Sequence, residues 1–116
     1  MPDPPHLHIP DALAPALRHA FKKAWEGFTP LHGNPIYLLE RTKGEVTMRA
    51  QPMWNAAFFS RKSRAYKIEF QPFPVLLQGR PIADLPDEVL VGWFAHELGH
   101  LMDYLRRPWY DLIKLG

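Results

Sequence analysis

Cysteine is absent from this 116-residue chain. That excludes disulfides and thiolate metal sites, so any bound metal must be held by His, Asp or Glu. Long apolar runs are also missing; no stretch approaches the roughly 18 residues of a membrane span. The N-terminus, Met1-Pro2-Asp3-Pro4-Pro5-His6, shows no basic segment followed by an apolar one, so no signal peptide is visible. Nor is there a strong excess of one charge: 14 Lys and Arg stand against 12 Asp and Glu, for a net charge of +2. This is too weak to imply a nucleic-acid or membrane partner. A cytoplasmic location fits these absences, and they carry no signal for an oligomeric state.

The residues that are present describe one folded unit. Hydrophobic residues make up 47% and charged residues 22% of the chain, the balance of an ordinary globular domain. Thirteen prolines punctuate it. Residues 1–10 read as a flexible, proline-rich tail, because proline removes a backbone donor and restricts its predecessor. Asp11 is placed to cap a first helix, with Pro15 in its first turn. Leu13, Leu17, Phe21, Ala24 and Phe28 recur at steps of three and four, which draws one apolar stripe.

Ile36 to Thr42 and Glu45 to Gln51 read as two strands joined by a hairpin turn at Lys43-Gly44. In the segment from Ser63 to Phe70, Tyr66, Ile68 and Phe70 alternate with Lys67 and Glu69, the pattern of a half-buried strand. Prolines 72, 74 and 81, with Gly79, then make a loop or an edge strand around Val75 to Leu77. Asp84 is placed to cap a last long helix that runs to about Arg107, where Pro108 stops it. Leu90, Phe94, Leu98, Leu101 and Leu105 form its apolar face. The fold expected is α+β: an N-terminal helix, a small antiparallel or mixed sheet, then the long helix.

That helix carries the chemistry. His96 and His100 are four residues apart, and at about 3.6 residues per turn both imidazoles leave the same side and can meet one ion. Glu97 is rotated away by about 100°. It can reach a metal-bound water without taking a ligand position, which is the H-E-x-x-H arrangement of two ligands and a general base. Two solvated helical histidines would be the plain alternative.

The segment Ala95-His96-Glu97-Leu98-Gly99-His100 resembles the active-site helix of the zincin zinc metallopeptidases, and residues 11–116 resemble the N-terminal part of their catalytic domain. The resemblance implies Zn²⁺ held by His96 and His100, with Glu97 as the catalytic base. It implies hydrolysis of a peptide or protein substrate by Glu-assisted attack of zinc-bound water, with a strand before the helix holding the extended substrate. Metzincins carry a glycine three residues after the second histidine and a histidine three further on; here Asp103 and Arg106 stand there. The likeness is therefore gluzincin-like, and the third ligand is open. It could lie beyond Gly116 if the chain continues, or be Asp111, His6 or His8. An incomplete site would make the chain a non-catalytic binding module or a structural zinc domain.

Other signals have two readings. Asp103 could orient an imidazole N–H or be an exposed helical carboxylate. His6 and His8 could lie across the metal or belong to the tail. Arg61, Lys62, Arg64 and Lys67 could touch phosphates, although a solvated turn explains them more simply. Trp93 reads as a packing residue. Tyr104 and Tyr110 could donate to an oxyanion but are placed like packing residues too.

Overall fold

The computed structural model describes residues 3–41 and 46–115. Its elements in chain order are β1 (Leu7–His8), α1 (Pro15–Glu26), β2 (Ile36–Glu40), β3 (Met48–Pro52), β4 (Tyr66–Phe70), α2 (Asp87–Arg106) and α3 (Trp109–Leu115), with short 3₁₀ turns between them. The architecture is α+β, as the periodicities indicate. No helix among the described residues is long and apolar enough to cross a membrane.

The sheet is mixed, in the order β1-β2-β4-β3. β1 and β4 both run parallel to β2, while β3 is antiparallel to β4. The expected hairpin between β2 and β3 is therefore not made: β4 lies between them, and the proposed turn residues fall outside the described ones. The reason is burial and donor chemistry. Tyr66, Ile68 and Phe70 of β4 are 0–1% exposed, which suits a central strand. β3 carries Arg49, Gln51 and the donor-less Pro52, which suits an edge.

Both long helices pack on the face of the sheet that presents Ile36, Leu38, Ile68 and Phe70. On α1 the stripe of Leu17, Ala20, Phe21 and Ala24 is buried, and Phe21 meets Phe94 of α2 with ring centroids 5.3 Å apart. Burying a side chain such as Leu17 or Phe21 contributes roughly 1.5–3 kcal/mol. The other face of the sheet carries His8, Tyr37, Leu39, Lys67, Glu69 and Arg49 by strand alternation.

The expected caps are not used. α1 starts at Pro15 with Ala14 before it, and α2 starts at Asp87 with Pro86 before it; neither has a side-chain cap. Proline enters each helix with its backbone angle already set and no amide to satisfy. Asp87 and Glu88 still place negative charge against the start of α2. Asp84 ends a 3₁₀ turn, Ile82–Asp84, and the expected edge strand at Val75–Leu77 is also a 3₁₀ turn. Gln78 and Gly79 then take the left-handed backbone region, at φ 52° and 91°, and turn the loop back so that Ile82 enters the core.

Residues 7–9 are not a loose tail. Leu7 and Ile9 are buried, and Asp3 accepts from Arg18 at 2.6 Å and Lys22 at 3.0 Å. Arg64 corrects the reading of a solvated basic turn. Its guanidinium is fully buried and donates to the carbonyls of Phe58, Tyr104 and Arg107 at 2.8–3.1 Å. Two of those carbonyls end α2, where a positive charge also opposes the helix dipole.

Candidate metal centre

α2 is held in rotation by its apolar side. Leu90, Phe94, Leu98 and Leu101 are 0% exposed. This turns His96 and His100 outward to the surface beside β3, where both are exposed. Their rings stand at 88° with centroids 4.8 Å apart, and the two Nε2 atoms are 3.2 Å from each other. Two nitrogens bound to one tetrahedral zinc at about 2.05 Å would be separated by about 3.3 Å. The pair is thus spaced as two ligands of a single ion.

Glu97 sits on the flank of α2 that packs against β3 and is only 9% exposed. Its carboxylate accepts the Ala50 amide. Burial raises its pKa above the ordinary glutamate value, and His100, His96 and the Ala50 amide pull the other way. Ligand atoms of His96, Glu97 and His100 lie within 4.8 Å of one another, a group able to hold a metal ion. The sequence motif is therefore assembled in space.

The other candidates are not brought to it. His8 stacks on Tyr37, centroids 4.1 Å apart, in β1 at the opposite edge of the sheet, and His6 immediately precedes that strand. Asp111 lies on α3 beyond the end of α2. Among the described residues, none of the three joins the metal-binding group. Asp103 accepts from Arg107 Nε at 2.9 Å, one turn on along the exposed helix face. It is the plain helical carboxylate of the two readings.

Several residues of the site carry no mark in the sequence. Along β3, the bonds Gln71 N–H to Thr47 O and Met53 N–H to Ala65 O show that odd-numbered residues direct their backbone groups to β4. Those of Met48 and Ala50 face away from the sheet, towards the open edge. Ala50 spends its amide on Glu97, so strand and helix are joined at the candidate base. Trp93, one turn before His96, lines a cleft of about 440 Å³ with Thr47, Met48, Leu76, His96 and Glu97. Spacing alone could have drawn Trp93 to the site, since residues three apart share a helix face. A second depression, about 260 Å³, is lined by Arg49, Ala50, Gln51, Pro52, Trp54, Tyr104 and Leu112. The Tyr104 phenol is held protonated there, its pKa raised by burial first and then by the Glu97 and Asp103 charges.

No protein-family model, curated protein or solved structure matches this chain.

Proposed function

We propose that the protein is a zincin-like metallopeptidase, with His96 and His100 as zinc ligands and Glu97 as general base. The observation that supports this most is the 3.2 Å spacing of the two Nε2 atoms beside a buried carboxylate. Two imidazoles beside a carboxylate are a donor set that zinc takes in catalytic sites, and the ion would polarise a water molecule and the scissile carbonyl. Glu97 takes the proton of the attacking water and delivers it to the leaving amine. The Ala50 amide donates to that carboxylate and so ties the candidate base to β3. The free edge of β3 guides an extended peptide past the pair by strand addition.

A second reading has Glu97 as the third ligand of a closed, non-catalytic metal site. It is favoured by the absence, among the described residues, of any further donor in the group. The variant Glu97→Gln separates the two. On the first reading it retains one equivalent of zinc in equilibrium dialysis and loses peptide hydrolysis by about 10²–10⁴-fold. On the second reading it loses the metal, and the zinc-loaded wild type hydrolyses no peptide; unchanged turnover by a zinc-loaded variant would remove Glu97 from the mechanism. His96→Ala or His100→Ala should weaken zinc binding by more than about 100-fold, beyond what outer contacts typically contribute.

A further inference from the structure

The two faces of the β3 edge differ in chemistry, and an extended peptide paired to it would show alternate side chains to each. On the helix side, a residue lying beside Met48 looks into the cleft lined by Met48, Leu76, Trp93, His96 and Glu97. Leu76 is 69% exposed, a large apolar side chain standing at the rim. Apart from Thr47, the Trp93 indole N–H and the metal-site residues, that wall offers only the apolar side chains of Met48 and Leu76.

On the opposite face the next side chain would pass Arg49. There three cations gather on one carboxylate: Arg41 at 3.3 Å, Arg49 at 3.3 Å and Lys67 at 3.6 Å, all from Glu69. Glu69 neutralises one of them and leaves two positive charges uncompensated among the described residues. Arg49 also lines the second depression, beside Ala50 and Gln51 of the same strand. Its side chain is 40% exposed, available to a second carboxylate.

We propose that the β3 edge selects extended peptides in which a large apolar side chain is followed or preceded by an acidic one. This rests on the peptidase reading, because it places the substrate along the same edge. The apolar residue fills the Met48–Leu76–Trp93 cleft, and its acidic neighbour turns to Arg49 and the cations behind it. The backbone between them pairs with Met48 and with the Ala50 carbonyl.

The test uses zinc-loaded Glu97→Gln protein and a set of octapeptides differing only at two central positions: Phe-Glu, Glu-Phe, Phe-Lys, Ala-Glu and Ala-Lys. Binding is read by calorimetry, and cleavage by the wild-type protein is read by mass spectrometry. A Phe-Glu or Glu-Phe peptide should bind about tenfold or more tightly than Ala-Lys. Leu76→Asp should erase the preference for Phe over Ala and leave that for Glu over Lys. Arg49→Gln should do the reverse, and both positions are exposed enough to change without unfolding the chain. Equal binding of all five peptides, with cleavage by the wild type, overturns the selection and leaves the peptidase reading intact. Discriminating binding without cleavage removes hydrolysis and upholds selective peptide recognition. No binding of any peptide overturns the proposal.

Discussion

The sheet has two edges, and they differ in length and in what holds them. The β1 edge is two residues long, with Pro4, Pro5 and Pro10 close on either side. It offers little ladder for another strand, as protected edges do. It is pinned by ion pairs from Asp3 to α1. The β3 edge is five residues long and lies against α2, with the imidazole pair and the Glu97 carboxylate along it. The contrast teaches that the longer edge lies beside the His96–Glu97–His100 group, while the shorter one is tied down away from it.

The largest expected effect comes from the device that anchors α2 at its C-terminal end. Arg64→Met should lower unfolding free energy by about 3 kcal/mol, because it leaves the carbonyls of Phe58, Tyr104 and Arg107 without their buried donor. Denaturant titration measures it. Arg64→Lys should recover little, since one ammonium cannot reproduce the planar fork. A loss below about 1 kcal/mol would mean that the β3 side does not depend on this anchor.

A smaller effect should appear at Glu97 in metal-free protein. Burial holds its folded-state pKa above the unfolded value. Between those two values the native state keeps a proton that the unfolded chain has lost, so stability falls as pH rises through that window. Glu97→Gln should therefore melt higher than the wild type in chelator at neutral pH. The difference should close below the ordinary glutamate range, where both forms are uncharged. Thermal melts at the two pH values decide it, and a constant difference would contradict the burial argument.

The smallest effect belongs to the β1 edge. Asp3 has the opposite sign: hydrogen bonds from Lys22 and then from Arg18 lower its pKa, against the raising effect of burial. Its contribution is present above the ordinary aspartate value and is lost as pH falls through the folded one. Partly exposed pairs of this type contribute 1 kcal/mol or less, so Asp3→Asn should quicken exchange of the Ile36 amide, bonded to His6, by about fivefold at most. Unchanged exchange would show that Leu7 and Ile9 hold this edge without ionic help.

These differences also explain what could be read before the fold was known. α2 was legible from its apolar period and Pro108, and β4 from the alternation of Tyr66, Ile68 and Phe70. His96, Glu97 and His100 were legible because one helical turn determines their relation. Strand neighbours were not, because alternation reports which face a residue takes and not which strand lies beside it. Arg64 was misread for a related reason: a guanidinium looks like surface charge until the carbonyls that receive it are known. The Ala50 amide, Leu76 and Met48 join the site through contacts distant in sequence.

The proline that closes β3 has one more consequence. Pro52 has no amide, and the Ala50 amide is already given to Glu97. Among the described residues of β3, that leaves the Met48 amide as the outward-facing donor. A second copy of the chain arriving edge to edge would find too few partners to grow a continuous ladder, while a short peptide needs only a local grip. The strand is thereby a poor seed for fibres.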